Sequence, residues 1–506
     1  MKILLRHGFL MSVLCAALSS TAAQDPCGEW EALATPLPAG AEAGRLEGIV
    51  TIAADDVWAV GNWTDEVGGS SLQYSLTLHW DGADWTIVPS PSPSECGTCT
   101  SVTLLAVDAA GPDDVWAGGT AKLRGSDGFL GFHLLLLHWD GATWTIMDTP
   151  RAIPGGSGDA IRDIEVIAAD DIWFVGDWLA NDHGQIVHTA LAMHWDGVDF
   201  EVVEVPLVNP ERGEKSGNDI YAIEALASDD IWMVGHTSVL ADGAADYSQI
   251  HHWNGAEWEH VPGPTPGAWN KLDEVVAIAP DEVWAVGQYY DAGYYSFAIR
   301  WDGSEWIRDD RILGGTFAAE GLASDEIYTA SNAVWRFDGK QAHLVEDWSS
   351  SSYDSPRLLS LDSAGSCETL FGAGFSFRGS EHVPFTARLE PTRELTLTQT
   401  ELHRGELATF LVRGAAAGER AVFAYSFAGV GNGPCPPALG GLCIDLLAPV
   451  TVMGQSVADA AGMASLTLRV PPNAPLREVS TQAVIRRGAG GADSVKSNAN
   501  TARIEH

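Results

Sequence analysis

The sequence is short of positive charge: 28 Lys and Arg stand against 68 Asp and Glu, a formal net charge of −40. Nucleic acid and anionic membranes are bound through Lys/Arg clusters that neutralise phosphate, so neither is expected as a partner. Beyond the first two dozen residues no apolar run is long enough to span a bilayer, which excludes membrane insertion. No Ser-His-Asp arrangement, phosphate-binding loop or HExxH pair stands out. Tryptophan is absent after Trp348, although 20 occur up to that point. The charge deficit stops at nearly the same place: from Pro391 onward nine acids meet ten bases. Two composition shifts together mark a boundary in the 390s, between an acidic Trp-rich body and a neutral Ala/Gly-rich tail.

Cysteine is also scarce, with 7 in 506 residues. The N-terminus, "MKILLRHGFLMSVLCAALSSTAAQDPC", places Lys2 and Arg6 before an apolar run and small residues up to Ala23. That pattern is expected to be a secretory signal over residues 1–23, making the mature protein secreted, periplasmic or held at the cell surface. Its removal takes Cys15 and leaves Cys27, Cys96, Cys99, Cys367, Cys435 and Cys443, an even set in an oxidising compartment. "CGTC" at 96–99 also has the spacing of a metal or redox pair, but lacks a second such pair and a strand–helix context.

What the chain has in abundance is one phrase. "DDVWAVGNW" at 55–63 returns as "DDVWAGGT", "DDIWFVGDW", "DDIWMVGHT" and "DEVWAVGQY", and in worn form as "DEIYTASNA" from Asp325. Its Trp falls at 58, 116, 173, 232 and 284. A second phrase follows each copy, from "HWDGADW" at 79–85 to "RFDGKQA" at 336–342. The first copy reads as four strands: "LEGIVTIAA", a turn at Asp55-Asp56, "VWAVGNW", a long loop, "YSLTLHW", a tight turn at Asp81-Gly82, and "DWTIVP". The second strand is apolar on both faces, as a strand between neighbouring sheets must be. One such sheet cannot bury both faces, and a ring of them can, which is why the phrase repeats.

These linked phrases resemble secreted bacterial β-propellers with Trp-Ala-Val-Gly repeats, a Kelch-like group. The resemblance implies an all-β fold, a seven-bladed β-propeller over 27–390 with a degenerate last blade near 358–390. The N-terminal "GEWEALATPLP" reads like a fourth strand with no first three before it, so it is expected to close that blade. Short alternating runs over 395–506 read as a small β-sandwich and look like the immunoglobulin-like modules of exported proteins. The HWDG hairpin is also somewhat similar to the Asp-box of sialidases, though its Asp and Gly are adjacent. If the ring closes in this way, Cys27 and Cys367 reach one end of the last blade and are expected to pair. Cys435 pairs with Cys443, and Cys96 with Cys99 in a local bridge.

The recurring His79, His138, His194 and His252 lie around a ring and cannot converge on one ion, so they are expected to meet the acid pair of their own blade. The loops between second and third strands differ in every copy and should gather on one face, where binding on a rigid scaffold usually sits. They offer Trp63, Asp65, Trp178, Asp182, His183, Tyr289, Tyr290 and Tyr294 as candidate ligand contacts. Aromatic faces with acids suit a glycan or a protein ligand, and of ions only Ca²⁺; no other cofactor, metal or catalytic residue is expected. The favoured function is an exported non-catalytic binding or scaffold protein. The alternative is a glycan-active enzyme, a sialidase-like hydrolase or a lyase, with its site on the same face. No oligomeric state is implied.

Overall fold

The computed structural model describes residues 27–506 apart from 68–69, 92–100, 125–129, 151–157, 183–184, 207–215, 240–246, 313–316, 349–354, 392–394, 416–417, 460–462 and 488–493. Residues 1–23, expected to be a secretory signal, and Cys96, Cys99 and His183 therefore lie outside the described residues, and of Asp182 only the backbone is described. The chain divides into two compact units, 1–391 and 392–506.

In the first unit the described residues form seven antiparallel sheets of four strands each. The first sheet runs Ala43–Ala53, Asp56–Val67, Ser70–Trp80 and Trp85–Ile87, each strand beside the next. Such sheets fit a β-propeller, and we call them blades 1 to 7 in the order of their first strands. The first strand of each blade packs against that of the next, and that of blade 7, Arg357–Asp362, packs against Ala43–Ala53 of blade 1. Blade 7 takes its fourth strand from the far end of the chain: Gly28–Leu33 pairs antiparallel with Glu381–Pro391, Trp30 opposite Leu389. A disulfide joins Cys27 to Cys367 with Cα atoms 6.0 Å apart, tying that strand to its blade.

The repeated phrase supplies both the core and the hairpins. Trp58 is 2% exposed and lies 5.0 and 5.3 Å from the rings of Trp139 and Trp144 in the next blade. Trp173 and Trp232 repeat this contact with the blades that follow them. In the HWDG turn Gly82 takes φ +93°, and Asp81 Oδ1 accepts the amides of Ala83 and Asp84 at 3.0 and 2.9 Å. Register brings the end of the third strand beside the start of the second, so His79 Nε2 lies 2.8 Å from Asp56 Oδ1. His138–Asp114, His194–Asp171 and His252–Asp230 repeat the pair at 2.7 to 2.8 Å. Where Arg336 replaces the histidine, it lies 3.6 Å from Glu326.

Among the described residues the second unit holds a three-stranded sheet and a six-stranded sheet joined through one apolar cluster that includes Phe410, Val412, Phe423, Ala483 and Ile504. Cys435 and Cys443 are bridged there, closing a short surface excursion.

Candidate functional site

The first strands of all seven blades enclose one cavity of about 640 Å³. A bulge in these strands, between Leu46 and Gly48 in blade 1 and at matching positions in blades 2 to 5 and 7, turns side chains inward. The cavity has two layers. Toward the ends that carry the variable loops lie Arg45, Glu47, Arg162, Tyr221, Lys271 and Asp273. Register fixes this end, since Arg45 sits opposite Asn62 and Lys271 opposite Gln288, where the loops begin. Each cation here has an acid partner: Arg45 with Glu47 at 2.7 Å, Arg162 with Asp177, and Lys271 with Asp273 at 2.6 Å. The Tyr221 ring lies between two of them, 3.9 Å from Lys271 Nζ and 5.0 Å from the Arg162 guanidinium carbon.

The deeper layer is acidic. It holds Asp108, Asp163, Glu165, Glu224, Glu274, Glu320 and Asp362, all half-buried against the cavity. Most are hooks between neighbouring blades. Asp108 accepts the amide of Val166 at 2.6 Å and of Ala109 at 2.8 Å, and Asp163 those of Ile223 at 2.8 Å and Ile164 at 2.9 Å. Asp362 accepts the Thr51 amide at 2.5 Å, and Ser363 Oγ donates to Glu320 at 2.6 Å. Glu224 differs: its carboxyl takes no hydrogen bond from the described residues, and after burial the largest influences on it are the charges of Asp163, Asp362 and Asp108.

Enclosure and mutual repulsion set the protonation of this layer. Burial pushes the carboxyls of Asp108 and Asp163 up to about 7, against the pull of their amide donors. Burial, then the neighbouring acids, pushes Glu224 up to about 8. Glu320 is likewise raised to about 8 by burial and Glu224, while Glu165, Glu274 and Asp362 are raised well above the ordinary carboxylate range by burial first. A carboxyl held neutral near pH 7 can donate a proton, and one fixed by two amides can accept one. Among the described residues the one set of three possible metal-ligand atoms within 4.8 Å of one another is Cys27, Glu326 and Cys367, where the disulfide occupies both sulfurs.

Among the described residues, those singled out in the loops lie on the hairpins of blades 1, 3 and 5. Trp63 stacks on Tyr74 of its own hairpin at 4.7 Å and packs on the core between blades 7 and 1. Trp178 packs against the core between blades 2 and 3, and Asp65 is half-buried on blade 1. Tyr289, Tyr290 and Tyr294 do share the blade 5 hairpin. Tyr289 is half-buried and stacked on Tyr295, whereas Tyr290 and Tyr294 are 42% and 71% exposed. The acids of the cavity are absent from that loop set, yet they have a signal in the repeat. Asp108, Glu165, Glu224 and Glu320 each stand five residues before the first acid of the DD phrase, on otherwise apolar strands. Val50 and Val276 hold the place in the other two copies.

No family model and no curated protein matches the chain. Among solved structures it is similar to a protein of unknown function from Dyadobacter fermentans, at 14% identity and TM-score 0.39, over 63% of this chain and 96% of that one. It is similar to an alpha-L-arabinanase from Penicillium chrysogenum complexed with arabinobiose, at 9% and 0.35, over 64% and 97% of the two chains. It is also similar to a sialidase from Trypanosoma rangeli, at 10% and 0.38, over 96% and 93%. The expectation of a non-catalytic binder or scaffold, and with it of a protein without enzyme activity, is corrected. The similar structures with a named activity include glycan hydrolases. The physical reason lies in where the polar groups are: Trp63 and Trp178 serve packing, and the proton-bearing carboxyls gather in the cavity.

Proposed function

We propose that the chain is a glycan-active hydrolase of neutral sugars. In this reading it is a seven-bladed, Kelch-like β-propeller closed by its N-terminal strand, with an immunoglobulin-like β-sandwich over 395–506, exported by the signal at 1–23. The observation that carries the function is the electrostatic coupling of Glu224 to Asp163 within the enclosed acidic layer. Glu224 is raised to about 8 and free of hydrogen bonds from the described residues, so it is protonated at neutral pH and able to protonate a leaving oxygen. Asp163 is held by two amides, one of them on Ile223, the residue before Glu224, and is the charge that weighs most on Glu224. It is placed to take a proton from an attacking water. A cavity of this size takes a small ligand, in the usual range of about 300–1,000 Å³.

A neutral sugar follows from the cations. A sialic acid or uronate carboxylate needs unpaired guanidinium groups, and Arg45, Arg162 and Lys271 each already serve an acid. Tyr290 and Tyr294 lie exposed at the loop end of blade 5, the blade whose first strand carries Lys271, and would hold the remainder of the glycan by ring stacking.

A screen of purified protein against neutral oligosaccharides, scored by released reducing ends, tests the reading. Glu224→Gln is expected to lower turnover by roughly a hundredfold or more, because the amide cannot give up a proton, while melting no lower than the parent at pH 7, where the fold no longer has to hold a proton that the unfolded chain releases. Full activity in that variant would remove Glu224 from the reaction.

A further inference from the structure

The second unit contains a feature that the hydrolase reading does not use. Its two sheets are unequal, three strands facing six, so the smaller sheet cannot cover the larger. The uncovered part is a cavity of about 470 Å³ between them. Tyr425, Phe427, Met453 and Leu468 line it and are only half-buried, above a floor that includes Phe410 and Ile504. Large apolar side chains left half-exposed around a concave opening mark a binding surface more often than a packing defect.

The rim states the charge of the occupant. Arg469 lies in the wall, and its Nη1 bonds the carbonyl oxygen of Gly405. Arg404 donates from Nε to the Ala474 carbonyl at 2.6 Å, on the loop that closes the same cavity. The Arg477 guanidinium sits 4.3 Å from the centre of the Phe427 ring. Among the described residues none of the three has a carboxylate partner within ion-pair distance, in a protein whose net charge is −40. Carbonyl and ring contacts position an arginine without neutralising it, so a negative charge at this rim meets three cations.

We propose that this cavity binds a free fatty-acid-like amphiphile, its alkyl chain between the sheets and its carboxylate at the arginine rim. A wholly apolar ligand would leave the arginines unmet, and a free acidic sugar would leave the aromatic and aliphatic walls wet.

The test uses the full-length protein and dansylundecanoic acid, followed by dansyl emission. The tail has no tryptophan, so the reporter must be on the ligand. One saturable site is expected, from which dodecanoate displaces the probe. Exchanging the two exposed arginines, Arg469→Ala with Arg477→Ala, should weaken dodecanoate by about tenfold or more and leave dodecanol unchanged. Ala408→Trp, filling the cavity from its floor, should abolish binding of both. Met453→Trp at the more open side does the same if the Ala408 variant fails to fold. No saturable binding, equal affinity of the arginine variant for dodecanoate, or undiminished binding in the filled variant that folds would each overturn the proposal.

Discussion

At the scale of single residues, titration is governed by enclosure more than by ion pairing. His251 shows this outside the cavity. Its side chain is fully buried, Gln249 Nε2 donates to its Nε2 at 2.9 Å, and its Nδ1 has no partner among the described residues. Burial pushes it down to about 3, so it stays neutral in the fold. The unfolded chain protonates it near pH 6.5, so the stability it contributes is complete above that value and is lost as pH falls from about 6.5 toward about 3. His251→Met should flatten this acid-side loss while costing about 1–3 kcal/mol at pH 7, because Gln249 loses its acceptor. Urea unfolding at pH 7 and pH 5 checks it. Equal pH slopes in both proteins would show that His251 does not set the response.

At the scale of the strand and hairpin, the repeat tolerates change unequally. Gly61 sits on the second strand across from the bulge, and a β-carbon there would run into the carbonyl oxygen of Arg45 and lie 2.8 Å from Leu46 Cα. Gly82, in the DG turn, has open space apart from Asp55 Cβ at 2.8 Å, and the strain is chiefly its positive φ. Gly82→Ala should therefore cost about 1–2 kcal/mol, and Gly61→Ala more, since two backbone segments must part. The same order should hold for Gly235 against Gly255, read from denaturant midpoints. Much of this scale was legible in the sequence. Turn dipeptides, apolar second strands and the DD phrase place the four strands, and chain order places His79 beside the Asp55-Asp56 pair, of which the structure selects Asp56. The cavity acids were not legible as a site. Glu224 or Asp108 read alone is one acid on an apolar strand, and nothing local says that residues from five or six repeats meet. Only the ring makes them neighbours, and only neighbours can raise one another's proton affinity. Trp63 was not legible as a packing residue for the converse reason: it reads as exposed in a variable segment, whereas its ring stacks on Tyr74 and packs on the blade core.

For the whole molecule, the cavity acids dominate pH dependence. Asp108 and Asp163 at about 7 and Glu224 and Glu320 at about 8 bind protons in the fold that the unfolded chain releases near 4. Their contribution is complete below the unfolded values and is lost as pH rises through the folded ones. His251 acts in the opposite sense, but it is one group against several. The melting temperature should thus fall steadily between pH about 5 and about 8.5. Activity should fall through the upper part of that range as Glu224 deprotonates. Scanning calorimetry beside a pH–rate profile checks both. A melting temperature that rises toward pH 8.5 would mean the acids are ionised in the fold.

The strand Gly28–Leu33 has a consequence in time. It is the first described element to be synthesised, yet its partner, Glu381–Pro391, is made after all the intervening blades. Until then the early strand has an unpaired edge and the first blade an uncovered flank, both open to pairing with another chain. The join between two segments more than 350 residues apart is a long-range closure of the kind that folds slowly. A chain cut short before Glu381 would hold six finished sheets and still be unable to retire its own beginning.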